Sequence, residues 1–181
     1  FKLTRVDGLT SIDGILIVNN SFSLPESYGI GAIQKDAYAE FNNLLTDARA
    51  DGVHFSLLSG YRSYRTQKEI YDDYVSKHGK EAADKAVSRP GYSEHQTGYA
   101  LDLNNAEESF GNTNEGKWLA ANCAKYGFII RYPKGKESVT GRQYQPWHIR
   151  YVGPELAKKL YNNGEWITLE EYFGISSVYS K

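Results

Sequence analysis

The strand-like segments of this chain are short and lie among helical segments, and this restricts its fold more than any other feature. Four of them stand out, at residues 53–58, 98–103, 128–132 and 147–152, and the first is expected to be buried. They are too short and too closely spaced for regular βαβ units. The pattern therefore predicts an α+β fold with a small antiparallel sheet and flanking helices.

Apolar residues at helical spacing predict the helices around that sheet. Between residues 35 and 49 they form one face, which ends at Asp51 and Gly52. Further helices are expected over residues 63–78 and 115–126, and two short ones after residues 154 and 168. Residues 133–141 should form an exposed loop or a hairpin tip. Residues 1–34 should wrap around a core formed by residues 35–181, so that residues 1–181 make a single domain.

Composition excludes several classes of partner. The formal net charge of the 181 residues is −1 and no stretch concentrates Lys or Arg, so neither nucleic acid nor direct binding to an anionic membrane is expected. No apolar run approaches the length of a membrane span. We expect a soluble globular domain that acts as a monomer.

Two further features of composition concern export. The chain contains no Met, so we expect Phe1 to follow a processing or truncation site, with any signal peptide or anchor upstream. The single cysteine, Cys123, excludes an internal disulfide framework and a cysteine-based metal cluster. It lies among apolar residues at helical spacing and is expected to be an inert core residue. Sparing use of thiols suits an exported protein.

Two histidines and one aspartate form the candidate chemical site. His95 lies at the end of a predicted loop, Asp102 on the strand that follows, and His148 at the start of a later strand. Two imidazoles and one carboxylate suffice to hold a catalytic zinc and leave a fourth position open for water. Spacing alone leaves two interpretations open, a metal site and hydrogen-bonded structural histidines. Of the other two histidines, His54 is expected in the core and His78 at a helix end.

Three sequence blocks carry a resemblance to a known family. The blocks are Ser59-Gly60-Tyr61-Arg62-Ser63 with Gln67, then Ser93-x-His95-x-x-Gly98-x-Ala100-x-Asp102, then Pro146-Trp147-His148-x-Arg150-Tyr151. In all three, the chain resembles the VanY-type D-Ala-D-Ala carboxypeptidases, which belong to the LAS metallopeptidases with lysostaphin-type enzymes and hedgehog domains. The blocks occur in the family's order and span about half of the chain, and the resemblance implies the LAS metallopeptidase fold.

The resemblance implies roles for individual residues. It makes His95, Asp102 and His148 the ligands of a Zn²⁺ ion. Arg62 would neutralise a substrate carboxylate or the developing oxyanion. Gln67 and Ser93 would orient a peptidoglycan stem peptide by hydrogen bonds, although a helix surface and a loop cap are alternative roles for these two.

The chain departs from the family at one position. The family has Glu-Pro-Trp-His where this chain has Gln145-Pro146-Trp147-His148. By resemblance, a carboxylate there accepts a proton from the attacking water, which a carboxamide cannot do. Three explanations are open: a deliberate inactivating substitution, a natural non-hydrolytic relative, or a replacement base elsewhere. We favour the first, because the rest of the motif is intact and the exchange is isosteric.

The resemblance also implies a function and a location. We expect a zinc carboxypeptidase that removes the C-terminal D-alanine of peptidoglycan stem peptides, with D,D or L,D specificity, impaired by Gln145. It should act outside the cell or on the cell-wall side of a bacterial membrane. The alternatives are an L-alanyl-D-glutamate endopeptidase with the same metal ligands and a non-hydrolytic peptidoglycan-binding or sensor domain.

Overall fold

The computed structural model describes residues 1–180, and its secondary structure follows the short-segment pattern. Seven strands occur within these residues: β1 (Leu3–Val6), β2 (Leu9–Ile12), β3 (Ile15–Leu16), β4 (Leu57–Ser59), β5 (Ala100–Leu103), β6 (Phe128–Ile130) and β7 (His148–Tyr151). Seven α-helices accompany them: α1 (Lys35–Ala50), α2 (Tyr64–His78), α3 (Lys80–Ala86), α4 (Asn114–Asn122), α5 (Glu137–Thr140), α6 (Pro154–Tyr161) and α7 (Leu169–Phe173). None of these helices is long and apolar enough to cross a bilayer.

The strands form two small antiparallel sheets. The central sheet has four strands in the order β4-β5-β7-β6, and every neighbouring pair is antiparallel. A second sheet of three strands, β1-β2-β3, is formed by the N-terminal segment. The predicted α+β class with a small antiparallel sheet is therefore confirmed.

Helices cover the central sheet through their apolar faces. In α1 the buried side chains are Ala37, Phe41, Leu44 and Ala48, at the spacing that one face of a helix requires. The Ser63 hydroxyl caps α2 by accepting a hydrogen bond from the Thr66 amide. The core continues through β5, β6, β7 and the C-terminal helices, and it includes Cys123, which is fully buried as expected.

Several local expectations were wrong. Residues 53–58 do not form a buried strand, since Leu57 and Leu58 are 47% and 51% exposed, and His54 is exposed rather than in the core. Residues 133–141 are not only loop, because α5 lies within them and Thr140 is buried. The sequence patterns also missed α3 and the three-stranded N-terminal sheet.

Candidate metal centre

Pairing between β5 and β7 brings two of the three candidate ligands together. Asp102 and His148 are directly opposed Cα partners in the β5–β7 register, and Asp102 is also paired with Ser59 of β4. Side chains that are directly opposed on neighbouring strands lie on the same face of the sheet. The two chain segments, which are far apart in sequence, therefore present their side chains at one point.

A single turn of 3₁₀ helix, Glu94–Thr97, brings His95 to the same point. The Ser93 hydroxyl accepts a hydrogen bond from the His95 amide at 3.2 Å, which starts the turn. Gly98 ends it with φ of 77°, and a Cβ there would lie 2.6 Å from the Ala32 carbonyl oxygen. Only glycine fits both the dihedral angle and the space, so the Gly98 of the sequence block serves to place His95.

The three side chains meet with their ligand atoms close together. Asp102 lies between the histidines, with Oδ2 3.0 Å from His95 Nε2 and Oδ1 2.9 Å from His148 Nδ1. One ligand atom from each of the three residues lies within 4.8 Å of the others, and all three residues are buried. The imidazole rings are nearly perpendicular, with centroids 5.1 Å apart.

The hydrogen bonds of the outer ring nitrogens, those that face away from Asp102, determine which nitrogens are available to a cation. His95 Nδ1 lies 2.8 Å from the Gly60 carbonyl oxygen and His148 Nε2 lies 3.2 Å from Glu94 Oε1. Both neighbours are acceptors, so these nitrogens carry the hydrogens. His95 Nε2 is then left without a hydrogen to donate, is buried, and has no hydrogen-bond partner within residues 1–180. A lone pair facing a carboxylate oxygen at 3.0 Å needs a cation between them, so the residues fit a metal ion.

Glu94 belongs to a buried ion network behind His148 that the sequence patterns missed. Its Oε2 accepts hydrogen bonds from Arg131 at 2.8 Å and Arg150 at 2.9 Å. Arg131 forms a bidentate pair with Glu170 at 2.7 Å, and all four side chains are almost completely buried. Arg131 lies in an otherwise apolar strand segment, and that was the available signal, because an arginine there must be paired.

Burial and neighbouring charges lower the pKa values of three groups at the site and raise the pKa of His148, where burial is outweighed by the hydrogen bonds to Asp102 and Glu94. Burial by itself would raise the pKa of Glu94, but Arg131 and Arg150 outweigh it and hold the pKa well below its ordinary value. Burial likewise opposes ionisation of Asp102, and the adjacent histidines nevertheless keep the pKa of this carboxyl low. Burial lowers the pKa of His95. Both carboxylates are therefore charged at neutral pH.

Four further residues selected from the sequence lie around this centre. Arg62, Gln67, Ser93 and Gln145 line the same cleft of about 150 Å³ as the three candidate ligands. Burial lowers the pKa of Arg62, and its Nε has no hydrogen-bond partner within residues 1–180. Gln67 is buried, donates to the Ser88 carbonyl at 2.8 Å and leaves its Oε1 unpaired within the same residues. The Gln145 side chain forms no hydrogen bond there.

The unpaired polar groups of Arg62 and Gln67 leave hydrogen-bonding capacity for a ligand, since buried polar groups are normally paired. Ser93 differs, because its hydroxyl already caps the 3₁₀ turn. A larger cavity, of about 500 Å³, lies between Pro146 and Trp166 but contains none of the three candidate ligands.

Comparison with known proteins agrees with this geometry. Residues 31–154 match the family model described as VanY, D-alanyl-D-alanine carboxypeptidase. The chain belongs to the VanY family. Family membership places it among carboxypeptidases, a class of hydrolases, and the matched segment contains every candidate site residue named above.

Individual relatives and solved structures resemble the chain over most of its length. A Bacillus subtilis protein named as a carboxypeptidase, YodJ, is 40% identical over 94% of this chain and 72% of its own length. The structure of the LD-carboxypeptidase LdcB is 38% identical, with a TM-score of 0.88 over 99% of both chains. A variant of the vancomycin-resistance D,D-pentapeptidase VanY, solved in complex with Zn(II), is 38% identical with a TM-score of 0.76, over 87% of this chain and 97% of the other. The predicted LAS metallopeptidase fold is thereby confirmed.

Proposed function

We propose that this VanY-family chain is a zinc carboxypeptidase domain that acts on the C-terminal D-alanine of peptidoglycan stem peptides. The observation that carries the proposal is the convergence of His95, Asp102 and His148, with the unpaired His95 Nε2 facing the Asp102 carboxylate. The VanY relative that contains Zn(II) supports zinc as the metal. Such a domain would work on the cell-wall side of a bacterial membrane.

The cleft residues would have separate roles around the metal. Zinc, held by His95, Asp102 and His148, would supply a Lewis acid that polarises the scissile carbonyl and activates water. Arg62, a desolvated guanidinium that forms no ion pair within residues 1–180, would bind the C-terminal carboxylate or the developing oxyanion. Gln67 offers its unpaired carbonyl oxygen to an amide of the peptide.

Gln145 would limit this chemistry. It lines the cleft but its carboxamide cannot accept a proton from the attacking water. The chain as given should therefore bind the peptide and turn it over slowly. This observation also favours a second function, a non-hydrolytic peptidoglycan-binding domain that keeps the metal.

The bond that is cut is the finer part of the proposal. The LdcB LD-carboxypeptidase matches 99% of this chain and the D,D-pentapeptidase VanY matches 87%. We therefore favour the L,D bond of a tetrapeptide over the D,D bond of a pentapeptide. The third possibility, an L-alanyl-D-glutamate endopeptidase, would yield free L-alanine or its amino-terminal fragment instead of free D-alanine.

Restoring a carboxylate at position 145 tests the proposal. Tetrapeptide and pentapeptide are incubated separately with the zinc-loaded chain, with Gln145→Glu and with Gln143→Glu, and the released amino acids are identified. Gln143 is exposed two residues away and does not line the cleft, so it controls for the added charge. Gln145→Glu should raise D-alanine release by at least about 10²-fold, while Gln143→Glu leaves it unchanged.

Each other outcome points to a different conclusion. No D-alanine from either peptide with Gln145→Glu, together with peptide binding, would leave the binding domain as the function. Full activity of the unmodified chain would assign the base to another residue. Release of L-alanine would identify the endopeptidase.

A further inference from the structure

A second arginine, Arg142, lines the cleft and has no acidic partner within residues 1–180. Arg142, just before the Gln145 segment, is 3% exposed and forms part of the cleft wall. Its Nη2 donates to the hydroxyls of Ser88 at 2.8 Å and Tyr179 at 2.9 Å. Its Nη1 donates to backbone carbonyls at 3.1 and 3.5 Å, and its Nε–H has no acceptor within residues 1–180.

The other buried arginines near the cleft differ from Arg142 in having carboxylate partners. Arg131 and Arg150 are paired with Glu94, and Arg131 also with Glu170. Asp84 contacts Arg142 only through its backbone carbonyl, and its carboxylate is bound by Arg89 at 2.8 Å. Within residues 1–180, no carboxylate lies within 4.0 Å of the Arg142 guanidinium. Within these residues, its guanidinium therefore donates hydrogen bonds to neutral groups only.

A buried charge without a counter-ion is costly, and the cost is recovered if the site receives an anion. Arg142 lies next to the proposed peptide-binding groups, because Ser88 accepts its hydrogen bond through the hydroxyl and that of Gln67 through the carbonyl. Arg62 is a separate cation of the same cleft. With two unpaired guanidinium groups, the cleft is suited to a ligand that carries two carboxylates.

We infer that Arg142 forms a second carboxylate subsite, which binds an acidic group of the peptide other than its C-terminus. This inference rests on the proposed function. A stem peptide offers two groups of this chemistry, the α-carboxylate of its D-glutamate and, where the third residue is diaminopimelate, that residue's free carboxylate. Amidation of D-glutamate, or lysine as the third residue, removes one of them.

Three synthetic tetrapeptides separate these sources. The baseline peptide has D-isoglutamine and L-lysine, so its only carboxylate is C-terminal. A second peptide restores the D-glutamate carboxylate, and a third restores the diaminopimelate carboxylate. Binding to the zinc-loaded chain is measured by calorimetry at moderate salt, where slow turnover by the Gln145 form permits equilibrium. One of the restored carboxylates should tighten binding about ten- to a hundredfold relative to the baseline.

Two variants assign that gain to Arg142. Arg142→Gln should abolish the gain and leave the affinity of the baseline peptide unchanged. Tyr179→Phe removes one hydroxyl acceptor of the same guanidinium and keeps the charge, so it should retain the gain. Circular dichroism checks that each variant is folded, and the comparison of the three peptides on the unmodified chain depends on no variant.

The outcomes that overturn the inference are distinct from those that overturn the function. Equal binding of all three peptides by the unmodified chain, or an equal loss for all three in folded Arg142→Gln, would make Arg142 a structural clamp only. Failure of even the baseline peptide to bind would contradict the proposed function and the carboxylate subsite together.

Discussion

At the residue scale, His95 and His148 differ in the ring nitrogen that faces Asp102. His95 presents Nε2 because the Gly60 carbonyl oxygen holds Nδ1, and His148 presents Nδ1 because Glu94 holds Nε2. Fixing the outer nitrogen orients the ring and sets the tautomer before any metal binds. The site is thus preorganised by one carbonyl and one carboxylate that are not themselves candidate ligands.

We expect one zinc ion per chain at this site. His148→Ala should lose it, whereas His78→Ala should keep it, because His78 is exposed at the end of α2. Binding should weaken as the pH falls through the histidine range, since protons then compete for the ligand nitrogens. Metal analysis after dialysis measures the stoichiometry, and a full equivalent of zinc in His148→Ala would refute the ligand assignment.

Arg62 should affect turnover more than folding. In the Gln145→Glu background, Arg62→Ala is expected to lower kcat/KM by about 10²–10³-fold, because a charge facing an oxyanion acts mainly in the transition state. Its Tm should stay near that of the parent, since the Arg62 side chain forms no ion pair in residues 1–180. Arg65→Ala is the matched control, with a side chain that is 90% exposed. Near-normal kinetics for Arg62→Ala would remove this residue from the site.

At the scale of elements, the sequence was informative where a pattern is local and uninformative where partners are distant. Helices α1 and α2 follow from apolar spacing and caps, and His95 lies in a motif of ten residues. The β5–β7 pairing that opposes Asp102 to His148 depends on the register of two strands that are distant in sequence, and no hairpin turn joins them to fix that register. The short strand β4 is exposed on Leu57 and Leu58, so its apolar residues suggested burial that the fold does not provide.

The same reasoning explains why the ion network was missed. Glu94 lies within a recognised motif, but its partner Arg131 directly follows β6 and its partner Arg150 lies in β7. Glu170, which pairs with Arg131, lies in α7. Charged residues are usually exposed to solvent, so the sequence alone predicts that these four lie at the surface. Only the fold shows that they meet in the interior. The network therefore connects the 3₁₀ turn that carries His95 with three other elements.

Glu94 and Glu170 can be separated experimentally, since both bind Arg131 but only Glu94 contacts His148. Glu94→Gln should weaken zinc binding by about 10–100-fold, the usual cost of losing a carboxylate behind a ligating histidine. Glu170→Gln should lower the Tm of the zinc-free protein through a broken buried pair and leave zinc affinity nearly unchanged. Chelator competition and thermal unfolding measure the two effects, and equal losses of zinc affinity would deny Glu94 a specific role.

At the scale of the whole molecule, the N-terminal segment is part of the structure that supports the site. The Leu16 carbonyl accepts a hydrogen bond from Arg150 at 2.8 Å, and the Asn19 side-chain amide donates to the Glu170 carboxylate at 2.8 Å. Gln96, within the 3₁₀ turn, donates to the carbonyls of Pro25 and Tyr28. The family match begins only at residue 31, so the N-terminal partners in these contacts lie outside it. We propose that residues 1–181 form one domain rather than a core with a dispensable wrap.

Two truncations test that proposal. A chain that begins at Gly31 loses four buried apolar side chains, those of Ile12, Ile17, Val18 and Leu24. At about 1.5–3 kcal/mol each, their burial contributes about 6–12 kcal/mol, comparable to the entire stability of a typical domain. We therefore expect the Gly31 chain to lack a cooperative thermal transition.

A chain that begins at Leu9 serves as the control, because it lacks only β1 and the turn that follows. Since β1 is exposed along its whole length, this chain should unfold cooperatively with a Tm lower by a few degrees. Circular dichroism melts compare both with the full chain. A cooperative transition of the Gly31 chain near the full-length Tm would show that residues 1–30 are dispensable for folding.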